Sequence, residues 1–77
     1  MEVLEVYKLS SDYARSCEVV YRFKGTNSNY AGINSVEGAM EAIASLYDGL
    51  GWIDTRRSVI GPLLYTYTSQ THPELFV

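Results

Sequence analysis

One stretch of this chain, from Asn34 to Gly51, keeps a helical period of apolar residues for three or more turns, and no other segment does. Its apolar residues recur at steps of three and four, which places them on one face of a helix. They are Val36, Ala39, Met40, Ile43, Leu46, Tyr47 and Leu50. Asn34 can cap the start, with Glu37 three residues later, and Gly49 or Gly51 can end it. A chain of 77 residues with one such helix must complete its core with strands.

Acidic residues occupy a second sector of the predicted helix. Glu37, Glu41 and Asp48 form a stripe, Asp54 follows it, and residues 25–55 contain no Lys or Arg. Glutamates four residues apart repel each other when no cation is near, so an ordinary surface helix intersperses basic residues. One interpretation is a solvated face. The other is an acidic docking surface for a protein partner with a basic surface.

Small residues form a third sector beside the acidic stripe. Gly38, Ala42 and Ser45 make a smooth strip on the predicted helix. A chain of this length is near the lower limit for one self-sufficient core, so association with another copy would add stability. A homo-oligomeric structural module, for example a homodimer formed through this strip or through the edge of the last strand, is therefore an alternative function.

Three segments before the helix have the patterns of strands. Val3 to Leu9 is rich in aliphatic residues, and Cys17 to Lys24 alternates with its odd-numbered residues on one face. A polar cluster at residues 25–29 predicts a hairpin loop. Tyr30 to Ile33 then predicts a short third strand that delivers the chain to the helix.

The chain after the helix predicts one more strand and a docked tail. Ser58 to Thr68 is largely apolar, but Gly61 and Pro62 interrupt it. Because proline cannot donate to a sheet ladder, the segment is either one strand with a bulge on a sheet edge or two short strands. We favour the single kinked strand. The hydrophobic residues 75–77 are expected to dock on the domain.

These elements predict a single α+β domain over residues 1–77. It has two layers, an antiparallel sheet of about four strands packed on one α-helix, in the order ββ(β)αβ along the chain. The order of the strands within the sheet stays open. No basic N-terminal segment precedes an apolar run, and no apolar stretch has the length of a membrane span, so we expect a cytoplasmic protein without membrane contact.

The residue types and their spacing do not indicate a catalytic site or a metal site. One cysteine, Cys17, and one histidine, His72, indicate neither a thiolate zinc site nor a serine nucleophile with its base. Glu37 and Glu41 are one helical turn apart, but nothing beside them supplies the apolar cleft that paired carboxylate catalysis needs. We therefore predict a protein that is not an enzyme and binds no cofactor or metal ion.

Aromatic residues are the candidate apolar anchors for a partner. Trp52 follows the helix and either caps the open edge of the core or contacts a partner. Tyr65 and Tyr67 share one face of the last strand, and with Tyr7 or Tyr30 on a neighbouring strand they would form an aromatic sheet surface. Such a surface binds protein well because tyrosine offers a large contact area at low entropic cost.

The same aromatic surface would stack nucleic-acid bases if cations lined it. A single-stranded nucleic-acid binder using the tyrosine face and the basic residues is therefore a further alternative. The basic residues concerned are Arg22, Lys24, Arg56 and Arg57. The net charge of −3 disfavours direct nucleic-acid binding, which relies on neutralising several phosphates.

In size, acidity and element order the whole chain resembles the small inhibitors that phages encode against bacterial defence systems, anti-CRISPR proteins among them. No motif carries the resemblance. It implies a non-enzymatic inhibitor in the host cytoplasm that docks on a basic nucleic-acid-binding surface of a Cas effector complex and blocks target DNA or a conformational step. The predicted partner-binding residues are Glu37, Glu41, Asp48, Asp54, Trp52, Tyr65 and Tyr67.

Overall fold

The structure, a computed structural model, describes residues 1–9, 18–51 and 60–77. The elements are β1 (Val3–Leu9), β2 (Glu18–Phe23), β3 (Asn29–Ile33), helix α1 (Val36–Tyr47), β4 (Ile60–Thr68) and a short 3₁₀ helix (Pro73–Phe76). The four strands form one antiparallel sheet in the order β3-β2-β1-β4. Within these described ranges the predicted α+β fold is confirmed, including the third strand before the helix.

One face of the sheet carries the main core. Leu4 and Val6 of β1 and Val19 and Tyr21 of β2 are buried there against the helix, as the alternation of β2 predicts. Leu75 of the 3₁₀ helix joins the same cluster. The predicted docking of the hydrophobic tail is therefore confirmed for Leu75.

The opposite face of the sheet holds a smaller apolar cluster. Leu9 and Val20 are buried there, and Tyr7 and Ile60 pack against them. The guanidinium carbon of Arg22 lies 4.7 Å from the centre of the Tyr7 ring. This face, which we call the helix-remote face, is thus partly apolar. It carries the even-numbered residues of β2, among them the buried Val20 and the cation Arg22.

The helix is rotated relative to the orientation that its period predicts, so only part of the predicted apolar face is buried. Ala39 and Ile43 are buried as predicted. The buried helix residues are Gly38, Ala39, Ala42 and Ile43. Met40 is 52% exposed, and Val36 and Tyr47 are also exposed. The prediction that these three large residues belong to the core is wrong, and so is the prediction that the Gly38 and Ala42 strip is a free surface.

Close approach of the helix to the sheet explains this rotation. A Cβ atom on Gly38 would lie 2.1 Å from the carbonyl oxygen of Ile33 and 3.2 Å from the Tyr21 hydroxyl. Only the hydrogen of a glycine fits at that distance. Because α1 begins three residues after β3 ends, its first turn is held against the strand, and the small residues must face inward.

The ends of the helix differ in part from the predicted ones. Ser35, rather than Asn34, is the N-cap, and its hydroxyl accepts from the Gly38 N–H at 3.0 Å. Gly49 terminates the helix with a φ of 73°, and its N–H donates to the Leu46 oxygen at 3.2 Å. The predicted end at Gly49 is confirmed, whereas the predicted start is early.

The last strand is a single kinked strand on a sheet edge, as favoured from the sequence. Its register with β1 shifts twice. At one shift Gly61 and Pro62 together face Lys8, which is the predicted bulge. The other shift leaves Leu64 as an extra residue, and the sequence pattern does not predict it.

Candidate protein-binding site at the helix and the open sheet edge

The two outer strands of the sheet are protected to different degrees. β4 carries Pro62 and two register shifts, which interrupt the row of free backbone groups that an edge offers to another strand. β3 has five residues in unbroken register with β2, and it contains neither proline nor a charged residue. Among the described residues, the edge of β3 is therefore the more open of the two at Ala31, whereas Asn29 at the start of the strand is 3% exposed and has Gly51 beside its backbone oxygen.

The outward-pointing backbone groups of β3 follow from the hydrogen-bond alternation of the sheet. The Lys24 N–H donates to the Val3 oxygen at 3.0 Å, so these opposite residues form a hydrogen-bonded pair. Hydrogen-bonded pairs alternate with non-hydrogen-bonded pairs along an antiparallel ladder. The backbone groups of the even-numbered residues of β2 therefore bond to β1, and those of its odd-numbered residues bond to β3. Ala31, opposite Val20, therefore points its N–H and C=O away from the sheet.

A groove of about 310 Å³ lies between this edge and the first two turns of the helix. Residues 30–33 of β3 form one wall, and Glu37, Gly38 and Glu41 form the other. Both glutamates are exposed, and Ile33 is 63% exposed. The groove thus places two carboxylates beside an apolar strand edge.

The acidic stripe extends from this groove along the helix. Glu37, Glu41 and Asp48 are all exposed, and their spacing puts them on the same side of α1 over about 16 Å. Glu37 complements the positive end of the helix, whereas Asp48 lies at the negative end, where a carboxylate is unfavourable. Residues 25–51 supply no Lys or Arg to offset these charges. Within residues 25–51 the stripe therefore carries charge of one sign.

An apolar flank, defined as Val36, Met40 and Tyr47, lies directly beside the acidic stripe. At 100° per residue these side chains fall within about 40° of one another. The flank was not predicted from the sequence, because all three residues fall on the periodic apolar face and were expected in the core. The sequence does contain a signal for the inward face. Ala39 and Ala42 lie about one turn apart with Gly38 beside them, and such small residues let a helix pack closely on a sheet.

The Tyr21 hydroxyl holds the β3-to-α1 turn in place. It donates to the Ile33 oxygen at 2.7 Å and accepts from the Ser35 N–H at 3.4 Å. Burial raises the pKa of Tyr21, and the hydrogen bond at Ser35 opposes this rise. Because the turn fixes the start of the helix, it also sets where Glu37 and Glu41 stand relative to β3.

Tyr65 and Tyr67 lie on the face of the sheet that the two helices cover. Their ring centres are 5.4 Å apart with the ring planes nearly perpendicular. Tyr67 is 8% exposed and belongs to the core, while Tyr65 is 37% exposed and its hydroxyl donates to the Asn34 side chain. Burial, with Tyr67 as the next cause, raises the pKa of Tyr65. Tyr7 lies on the opposite face and forms no surface with them. The alternative neighbour, Tyr30, is on the same face as Tyr65 and Tyr67, but it packs against the core that the helix covers.

No family model, curated protein or solved structure matches this chain. The candidate site accordingly rests on the geometry and charge of its own residues. Glu37 and Glu41 come together with the β3 edge, and Asp48 lies at the far end of the same stripe.

Two of the predicted partner-binding residues, Trp52 and Asp54, lie outside the described residues, as do Arg56 and Arg57. Among residues 1–9, 18–51 and 60–77, no group of three His, Cys, Asp or Glu side chains is placed to hold a metal ion. The described part of the chain has no helix with the length and apolarity of a membrane span.

Proposed function

We propose that this chain is a non-enzymatic inhibitor that docks its acidic helix face on a basic surface of a partner protein. The observation that carries the proposal is the exposure of Glu37 and Glu41 beside the open β3 edge, in a span of sequence without cations. A surface of one charge sign attracts an oppositely charged partner and accelerates association. The neighbouring apolar flank adds area that a partner can bury.

The partner that suits such a stripe is a protein whose own function requires a basic patch, and nucleic-acid-binding proteins are the common class. Carboxylates spaced along about 16 Å of helix compete for the cations that otherwise bind phosphates. We extend the proposal to a phage-encoded inhibitor acting in the host cytoplasm on a Cas effector complex. The support for this extension is the resemblance in size, acidity and element order to anti-CRISPR proteins.

The two alternative functions have weaker support. Gly38 and Ala42 are buried against the sheet, so the small-residue strip offers no surface for a homo-oligomer. The other contact considered, the edge of β4, is interrupted by Pro62 and two register shifts. Arg22 lies over Tyr7 on the helix-remote face, whereas Tyr65 and Tyr67 lie on the helix face. Arg22 and the rings of Tyr65 and Tyr67 therefore do not share one base-stacking surface, while Arg56 and Arg57 lie outside the described residues.

Affinity capture with charge variants tests the proposal. The wild-type chain and a Glu37→Lys, Glu41→Lys, Asp48→Lys variant serve as baits in lysate of the native or phage-infected host. We expect the wild type to recover a protein with a basic surface and the variant to lose it. With the purified partner, binding should weaken as salt is added, because exposed charges are screened over about 10 Å at 0.1 M salt.

A matched pair of neutralised variants separates the stripe from net charge. Glu37→Gln, Glu41→Gln removes two charges from the stripe, and Glu5→Gln, Glu74→Gln removes two charges away from it, one beside Tyr7 and one in the 3₁₀ helix. We expect the first pair to weaken binding by about tenfold and the second to leave it nearly unchanged. Equal binding by both variants would contradict docking through the helix.

A further inference from the structure

The open edge of β3 lies beside Glu37 and Glu41, so a partner that binds the acidic stripe also meets free backbone groups of this strand. We propose that this edge accepts an extended basic segment of the partner as an added β-strand, whose Lys or Arg side chains lie over Glu37 and Glu41. The inference rests on the proposed function and deepens it, since it names the binding mode and the chemistry of the partner segment.

The backbone of β3 provides the attachment. Ala31 directs its N–H and C=O outward, and β3 contains no proline or charged residue. At the start of the strand, Gly51 lies beside the Asn29 oxygen, so that end does not accept an added strand. The Ile33 oxygen is engaged by the Tyr21 hydroxyl and the Ser35 N–H. An added strand therefore centres on Ala31, about 4.8 Å beyond β3. Main-chain hydrogen bonds supply affinity in this recognition mode, and alternate side chains supply specificity.

The two faces of the added strand meet different surroundings. On the helix side, the groove presents Glu37 and Glu41. On the other side, the added strand continues the face that carries Ala31 and Ile33, both exposed. Because successive strand residues point to opposite faces, the segment that fits alternates basic and apolar residues.

Charge distinguishes this occupant from a second copy of the chain. Antiparallel pairing of β3 with β3 of another copy keeps both helices on one face of the joined sheet. Glu37 and Glu41 of the two copies would then approach each other across the twofold axis. Since residues 25–51 contain no cation to relieve that repulsion, a basic partner strand is favoured over self-pairing.

Titration of a synthetic peptide tests the inference. The probe is a peptide of about seven residues in which Lys and Val alternate, a typical strand length, and the control has the same composition with all Lys before all Val. Binding is measured by calorimetry to the wild type, Ala31→Pro and Ala31→Val. Proline removes the outward N–H of Ala31 without removing a ladder bond, and valine keeps that N–H.

We expect the alternating peptide to bind the wild type and Ala31→Val, and to bind Ala31→Pro at least about fivefold more weakly. The same loss is expected when the peptide, rather than the protein, is N-methylated at alternate residues, which keeps the test valid if Ala31→Pro fails to fold. The block peptide should bind more weakly than the alternating one.

The outcomes separate strand addition from docking by charge. If Ala31→Pro, the N-methylated peptide and the block peptide all bind as well as their controls while Glu37→Gln, Glu41→Gln weakens binding, strand addition is wrong and acidic docking stands. If Glu37→Gln, Glu41→Gln changes nothing, the proposed function fails as well. No saturable binding of the alternating peptide to the wild type overturns the inference.

Discussion

At the scale of single residues, the hydroxyl of Tyr21 has the largest influence on the candidate site. It lies under the turn between β3 and α1, where it contacts the backbone of Ile33 and of Ser35. Tyr21 is also one of the largest fully buried side chains in the described residues. One residue therefore fills the core and fixes the position of the acidic helix relative to the open sheet edge.

Substitution of Tyr21 by phenylalanine tests this role. Tyr21→Phe keeps the ring and removes the hydroxyl, and we expect the free energy of unfolding to fall by about 1 kcal/mol near neutral pH. Urea denaturation of both proteins measures the difference. A variant as stable as the wild type would show that the turn does not depend on this hydroxyl.

The pH dependence of that difference gives a second signature of the same contact. Because the pKa of Tyr21 in the folded state is raised above its ordinary value of 10.0, the folded state favours the neutral hydroxyl. This contribution to stability is complete below about pH 10 and is lost as pH rises through the folded-state pKa. The stability of the wild type should therefore approach that of Tyr21→Phe in alkaline solution. A gap that stays constant would contradict the assignment.

The cap of the helix shows a limit of sequence reasoning at this scale. Asn34 and Ser35 are both good N-cap residues, so the local sequence does not choose between them. The choice depends on a contact between distant parts of the chain, because the Asn34 side chain accepts from the Tyr65 hydroxyl of β4. Only Ser35 is then left to bond the helix N–H groups, and it bonds that of Gly38.

At the scale of elements, the helix shows that packing distance can override hydrophobic size. Its period correctly predicts a helix and the burial of Ala39 and Ile43, but the centre of the periodic apolar face is not the centre of the buried face. Gly38 and Ala42 face inward because the helix lies against the end of β3, and Met40 is left beside the acidic stripe. The acidic stripe itself was predictable, since it depends only on spacing along one helix.

Paired substitutions in the helix test this rotation. Gly38→Ala should lower the free energy of unfolding by about 2 kcal/mol, because the new methyl group meets backbone atoms of Ile33. Met40→Ala should change it by about 0.5 kcal/mol, as expected at an exposed position. Thermal or urea unfolding measures both. The reverse order, with Gly38→Ala stabilising by about 1 kcal/mol through helix propensity, would show that the helix has its large residues inward.

The strands were easier to predict than the site they form. β1 and the odd-numbered face of β2 follow from local alternation, and Pro62 by itself places β4 on an edge. The open edge of β3 was not predictable, because it depends on the order of strands in the sheet. That order is set by long-range pairing of β1 with both β2 and β4.

At the scale of the whole molecule, charge and edge protection are distributed unequally. The edge formed by β4 is interrupted by Pro62 and bulges, while the edge formed by β3 is continuous and lies beside Glu37 and Glu41. A net charge of −3 alone would repel or attract partners without regard to orientation. In the proposed docking, one-signed charge concentrated beside an open edge is expected to favour one orientation of the partner.

Mapping by NMR of where a basic probe contacts the protein tests this claim most directly. Oligolysine is titrated into isotope-labelled protein, and the shifts of the backbone amides are followed. We expect the largest shifts at Ala31, Ile33, Glu37 and Glu41, with small shifts at Glu74. Equal shifts beside all exposed carboxylates, or shifts centred on the face that carries Tyr7, would contradict it.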